Sequence, residues 1–218
     1  MRPTVAMLTV LVIAAATSPV EAQSRRGDRD GRDRGIVELE PAGQRGGFFI
    51  TAGVGAGGEQ YRFDGDEEFS ERLTKPTFTL RLGGTPNQNV RVGAELFVWG
   101  NDVPTSLEQD GGFESFGALM VTAQYFPIRD AGLFLKASGG FGVSSFDYDN
   151  PLIEDNDESG FAWSLGAGYD IQLSRNFGLG PSIDIYQGSF TSRDQPTLTE
   201  RVVNIGIQVT FQSNSRGR

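Results

Sequence analysis

The sequence predicts an all-β fold: eight antiparallel strands closed into an up-and-down transmembrane β-barrel. Three observations carry the prediction. Apolar and polar residues alternate along eight segments, which is the period of a strand with two unlike faces. The connections between those segments alternate long and short. After Ala22 no stretch is apolar enough for a transmembrane helix, and a chain without such helices crosses lipid only as a closed barrel.

The N-terminus reads as an export signal. Arg2 precedes the apolar run "VAMLTVLVIAAA" (Val5–Ala16), and "TSPVEA" ends in Val20-Glu21-Ala22, a small-x-small cleavage site before Gln23. Residues 1–22 are therefore expected to be a cleaved signal peptide. The alternative is an N-terminal anchor, for which the run is short of the roughly 20 residues a span needs. No cysteine follows the site, so it is not a lipoprotein signal. Residues 23–46, "QSRRGDRDGRDRGIVELEPAGQRG", mix both charge signs with glycine and few apolar residues. They are expected to be a flexible, charged, periplasmic leader rather than a binding arm.

The barrel is expected over residues 47–212, followed by a polar tail, 213–218. Its first segment, Gly47–Ala56, sets Phe48, Ile50, Ala52, Val54 and Ala56 on one face. Thr77–Gly83 sets Phe78, Leu80 and Leu82 against Thr77, Thr79 and Arg81. Asn89–Gly100 sets Val90, Val92, Ala94, Leu96 and Val98 against Arg91, Gly93 and Glu95. Ser115–Phe126 sets Leu119, Val121, Ala123 and Tyr125 against Ala118, Met120, Thr122 and Gln124.

In the second half, Leu133–Ser145 opposes Leu133, Leu135, Ala137, Phe141 and Val143 to Lys136, Ser138, Gly140 and Gly142. Ser159–Leu173 opposes Phe161, Trp163, Leu165, Ala167, Tyr169 and Ile171 to Ser164, Gly166, Gly168 and Asp170. Phe177–Gly188 opposes Leu179, Ile183 and Ile185 to Gly180, Ser182, Asp184 and Tyr186. Pro181 lies inside this segment, where a closed barrel has no edge to tolerate a missing donor, so a bulge or a late strand start is expected. The eighth, Val202–Gln212, has Ile205, Ile207, Val209 and Phe211 facing lipid, with Asn204, Gln208 and Thr210 lining the lumen.

Long polar connections follow the odd-numbered segments, and "GTPNQ", "IRDAG" and "SRN" follow the even ones. Short turns at one rim and long loops at the other are the layout of bacterial outer-membrane barrels, with turns periplasmic and loops extracellular. A soluble lipocalin-type barrel has no reason to sort its connections this way. In the sixth segment Phe161 and Trp163 stand at the loop end and Tyr169 at the turn end. At ~3.3 Å per residue and about 40° of tilt they lie roughly 15–20 Å apart in height, the spacing of aromatic girdles around an apolar band. Ordinary core aromatics are the alternative that one strand leaves open.

Residues 47–211 resemble the eight-stranded outer-membrane β-barrel family of the OmpA, OmpX, OmpW and opacity-protein kind. "NIGIQVTF" (204–211) is similar to the C-terminal assembly signal of that family, its slots filled by Asn204, Gly206, Val209 and Phe211. "AQYFPIRDAGLFLKASGGFG" (Ala123–Gly142) resembles the family's strand, proline turn and glycine-rich strand. The resemblance implies an outer-membrane location, outer-membrane lipid and lipopolysaccharide as surroundings, and the barrel assembly machinery as a partner.

Composition narrows the function classes. A formal charge of −9 leaves no basic surface for nucleic acid. With no cysteine there is neither a disulfide nor a thiolate metal site. With no histidine the His-dependent hydrolytic mechanisms of some membrane barrels are unavailable, so no catalytic residue and no enzymatic role are expected. No cofactor is expected either. "GVGAGG" (Gly53–Gly58) matches G-x-G-x-x-G but precedes an acidic loop rather than a helix, so it reads as strand glycine beside bulky lumen neighbours.

Arg81, Arg91 and Lys136 share the lumen parity with Glu95, Asp170 and Asp184. Charges in a narrow lumen must be paired, and an eight-stranded barrel is just filled by its side chains. A salt-bridge plug is therefore expected over a conducting path, with pairings left open. Glu59, Asp64, Asp66, Glu67, Glu68 and Glu71 crowd the first connection. Asp102, Glu108, Asp110 and Glu114 mark the second. Asp147, Asp149, Glu154, Asp155, Asp157 and Glu158 mark the third. "DNDESG" (Asp155–Gly160) opens like a calcium loop, but Gly166 stands where a bidentate Glu belongs, so no strong metal site is expected. Divalent cations remain candidate weak ligands of these loops. The functional expectation is an envelope protein that stabilises the membrane or presents acidic surface loops. The alternative, implied by OmpW-like relatives, is a narrow channel or carrier for small molecules, hydrophobic ones included.

Overall fold

The computed structural model describes residues 45–104, 111–129, 131–148, 150, 156–191 and 196–213. The expected signal peptide, leader residues 23–44, tail residues 214–218 and the carboxylates Glu108, Asp110, Asp149, Glu154 and Asp155 lie outside the described residues. Every element among the described residues is a strand. In order they are β1 (Gly47–Phe63), β2 (Leu73–Asn87), β3 (Val90–Val103), β4 (Gly112–Tyr125) and β5 (Leu133–Tyr148). Then come β6 (Asn156–Tyr169), β7 (Ile171–Gln172), β8 (Phe177–Phe190) and β9 (Leu198–Gln212). Successive strands pair antiparallel, and the β1–β9 and β6–β8 ladders close the sheet on itself. Closure leaves no unpaired edge, which is what a sheet in lipid requires.

The two-residue β7 continues β6, so the barrel has eight staves. The sixth segment, expected unbroken over Ser159–Leu173, is interrupted at Asp170, whose amide still donates to the Gly132 carbonyl at 2.9 Å in the register of the β5–β6 ladder. The ladder to β8 runs down to the Gly168–Ser182 pair and resumes in the same register at Ile171–Leu179. Pro181 falls in that gap. It is neither in a bulge nor before the strand start: the neighbouring stave leaves off pairing where the proline has no N–H to offer. The approach here is close enough to demand glycine, since a Cβ on Gly180 would stand 1.5 Å from the Tyr169 carbonyl oxygen.

Strands also run further toward the loops than alternation indicates. β1 continues past Ala56 to Phe63, with Glu59 paired to Leu73 on one side and Val202 on the other. A strand of 15 residues such as β2 measures about 50 Å, or about 38 Å of height at 40° tilt, against an apolar band of about 25 Å. The barrel wall therefore stands proud of the band at the loop end. Glu59, Asp102, Glu114, Asp147, Asp157 and Glu158, read from sequence as loop residues, are strand residues of this extension.

Outward residues form the apolar band: Ile50, Val54, Leu119, Val121, Leu135, Phe141, Leu165, Ile183, Ile205 and Ile207 are all exposed large hydrophobics. At its loop end the outward face turns polar, where Arg201 donates to Gln187. At its turn end Phe211 meets Phe177 and Phe48 edge-on, with ring centroids 5.2 and 6.2 Å apart.

Candidate functional site

The lumen is layered. At mid-height Arg81 (β2), Glu95 (β3), Lys136 (β5) and Asp184 (β8) converge, with Arg81 and Glu95 both 0% exposed. Lys136 Nζ lies 2.5 Å from Glu95 Oε1 and 2.8 Å from Asp184 Oδ1. Arg81 Nε lies 3.2 Å from Glu95 Oε1, and its Nη2 lies 3.9 Å from Asp184 Oδ2. Arg91 pairs separately with Asp170 at 2.7 Å, nearer the turn end. Gln208 joins the two groups, accepting from Arg81 Nη1 at 2.8 Å and donating to Asp170 Oδ1 at 3.0 Å. All six charges singled out from parity thus sit in one hydrogen-bonded belt, two cations against two carboxylates in the quartet and one against one in the pair.

Sequence reasoning did not single out the neutral partners. Tyr186 donates to Glu95 at 2.8 Å, Ser138 donates to its other oxygen at 2.5 Å, and Gln212 accepts from Arg91 at 2.6 Å. Each shares the inward parity of a charge two or more residues away on its own strand. That parity was the available signal, without indicating reach across the lumen. Gly166 makes room for the belt, since a Cβ there would meet Asp184 Oδ1 at 2.0 Å.

Above the belt, toward the loops, the interior is aromatic. Phe97 stacks on Tyr186 with centroids 3.6 Å apart, Phe116 packs edge-on against Phe97 and Phe190, and Trp99 donates to the Gly57 carbonyl at 3.0 Å. Of the "GVGAGG" glycines on β1, Gly57 faces this layer, while Gly53 and Gly55 face Thr79, Asn204 and Thr77 nearer the belt and Gly58 lies against Arg72. A Cβ on Gly57 would meet Thr77, Val202 and Trp99 side chains within 3.1 Å, so the segment serves packing. At the turn end Arg45 donates to the Arg129 and Ala131 carbonyls and lies over the Phe126 ring at 3.9 Å. Among the described residues, Arg45 and Gly46, which precede the first strand, already contact the barrel.

Of the four residues matched to the assembly signal, Asn204 faces the lumen and accepts from Thr77 at 2.6 Å. A Cβ on Gly206 would come within 2.7 Å of the Val54 carbonyl, while Val209 and Phe211 face outward. The four share no site: two serve packing between strands and two the exterior.

Beyond the aromatic layer the inward carboxylates Glu59, Glu114, Glu158 and Glu200 ring the mouth. Glu59, Glu158 and Glu200 lie past Ala56, Phe161 and Val203, the last outward apolar residues before Gln60, Ser159 and Arg201, and so outside the apolar band; Glu114 lies between the outward Ser115 and the exposed Phe113. Burial pushes the Glu59 carboxyl up to about 8, helped by the charges of Glu200 and Glu114. Burial likewise raises Glu200 to about 7, against a lowering hydrogen bond from Ser144 and with Glu114 and Glu158 adding to the rise. Among the described residues no three carboxylates are arranged to hold a metal ion.

The family model for the outer membrane protein beta-barrel domain matches residues 8–211. The chain belongs to this outer membrane protein beta-barrel family. Neisserial surface protein A (NspA) is a structural neighbour of this barrel, with TM-score 0.51 and 11% identity over 74% of this chain and 96% of that one. Ail of Yersinia pestis, solved with the heparin analogue sucrose octasulfate, gives 0.47 and 13% over 74% and 99%. OprG of Pseudomonas aeruginosa gives 0.44 and 15% over 80% and 100%. No curated protein matches the sequence. Family membership makes this an outer-membrane barrel; likeness at such identities bears on fold and leaves the role to the site itself.

Proposed function

We propose that the protein is a closed, non-enzymatic outer-membrane barrel whose role is structural or surface-interacting. In this reading a signal peptide exports the chain, the termini are periplasmic and the loop end faces outward. The barrel assembly machinery reads Asn204, Gly206, Val209 and Phe211, and outer-membrane lipid and lipopolysaccharide surround the apolar band. The observation that carries the closed lumen is the belt of Arg81, Glu95, Lys136 and Asp184, roofed by Phe97, Trp99 and Tyr186. A solute or ion crossing this lumen would have to break several charge-assisted bonds at once, each costly in a buried setting. The channel or carrier alternative needs a continuous path through that belt.

Planar-bilayer recording of the purified full chain is the test. The closed reading expects no steady conductance above the lipid background. A stable unit conductance overturns it in favour of the channel.

A further inference from the structure

The extended wall encloses a cavity of about 480 Å3 at the loop-end mouth. At its base Leu198, one of the lining residues, packs against the aromatic layer described above. Two aromatic pairs line it from diametrically opposed staves: Tyr61 with Phe63 on β1, centroids 5.9 Å apart, and Phe146 with Tyr148 on β5, centroids 4.6 Å apart. Between them Glu114, Glu158 and Glu200 reach in from β4, β6 and β9. Glu200 is only 6% exposed, and while its Oε1 accepts from Ser144, its Oε2 is buried without a partner. Oε2 of Glu158 and Oε1 of Glu59, a residue just below and 3% exposed, are likewise buried and unpartnered. Lys75 shares the inward parity at this end of β2 and makes no salt bridge with any of them.

Buried carboxylate oxygens without a partner are costly, and native structures keep them where something else completes them. A compact divalent ion does not fit that need here, because the carboxylates do not converge into a ligand set. Aromatic side chains on opposite walls with carboxylates between suit a larger, organic cation, its apolar part against the rings and its charge against the carboxylates. The volume is that of a small-molecule site.

We propose that this mouth is a binding cup for organic cations that carry ammonium groups on an extended apolar body, the polyamine class. Tyr61, Phe63, Phe146 and Tyr148 take the body, and Glu200, Glu158 and Glu114 take the ammonium groups. The proposal deepens the surface-interaction reading and rests on its closed lumen, which gives the cup a floor. The raised carboxyls of Glu59 and Glu200 add a signature. The groups facing them are Glu114, Glu158, Tyr61, Tyr148 and Lys75, and a bound cation favours their ionised form and so draws protons off. Binding then strengthens from pH 6 to pH 8, where the ligand's amines stay charged, and releases protons.

The test is titration calorimetry of the full chain in detergent micelles with spermidine, at fixed ionic strength. Calcium chloride is the charge control, and gel mobility before and after boiling confirms that each variant is folded. Saturable spermidine binding that Glu200→Gln weakens at least tenfold, that Tyr61→Ala or Phe146→Ala also weakens, and that calcium fails to displace supports the cup. Equal displacement by calcium reduces the effect to surface charge and overturns it. Unchanged affinity in both Glu200→Gln and Glu158→Gln also overturns it. No saturable binding by a barrel that does not conduct overturns the cup and leaves the closed lumen standing.

Discussion

Replacing Glu95 by glutamine keeps the shape and the acceptor of the belt while removing one charge. In the native quartet two cations face two carboxylates, and Glu95 Oε1 alone lies 2.5 Å from Lys136 Nζ and 3.2 Å from Arg81 Nε. The variant leaves Arg81 and Lys136 sharing Asp184, so one buried positive charge is uncompensated. Breaking a buried pair in this way costs about 3–5 kcal/mol. Glutamine still accepts from Tyr186 or Ser138, so almost all of that cost is charge rather than lost packing. Adding Lys136→Met restores neutrality, with Arg81 against Asp184, and is expected to recover about 2–3 kcal/mol relative to the sum of the single variants. The assay is guanidinium unfolding in micelles, with the folded fraction read from heat-dependent gel mobility. A Glu95→Gln barrel within about 1 kcal/mol of the native protein, or strictly additive single costs, would refute the belt as a coupled unit.

Gly180→Ala is expected to destabilise the barrel by more than about 2 kcal/mol, because its Cβ would stand 1.5 Å from the Tyr169 carbonyl oxygen. Pro181→Ala should stay within about 1 kcal/mol, since the partner stave already leaves that position unpaired; the same unfolding assay reads both. Phe211→Ala removes two edge-on ring contacts, a loss of about 1–3 kcal/mol. It should also lower the share of heat-modifiable protein in outer-membrane fractions, and an unchanged share counts against Phe211 as an assembly residue. The mouth carboxyls predict the sign of a pH effect. Glu59 and Glu200 are raised in the folded barrel from 4.5 to about 8 and about 7. Their contribution is therefore fully present below about pH 4.5 and lost as pH rises through 7 and 8. The unfolding midpoint should fall between pH 5.5 and 9, and Glu59→Gln with Glu200→Gln should flatten that fall.

The strand period, and with it the inward or outward side of nearly every residue from Phe48 to Gln212, is legible in the sequence because side-chain direction in a strand is a local matter. That period sufficed to assign Ile205, Ile207 and Val209 to the exterior and to gather Arg81, Arg91, Glu95, Lys136, Asp170 and Asp184 inside. It was silent on what depends on height and on neighbours across the lumen. Tilt and register decide that Lys136 meets Glu95 and Asp184 while Arg91 meets Asp170, since these partners come from strands far apart in the chain. The same geometry draws Glu59 and Glu158 out of supposed loops into the wall, because pairing continues wherever a neighbouring strand is in reach. Parity gathered the six belt charges on the inward side; only closure of the barrel brought the mouth carboxylates and the aromatic pairs of β1 and β5 onto facing walls.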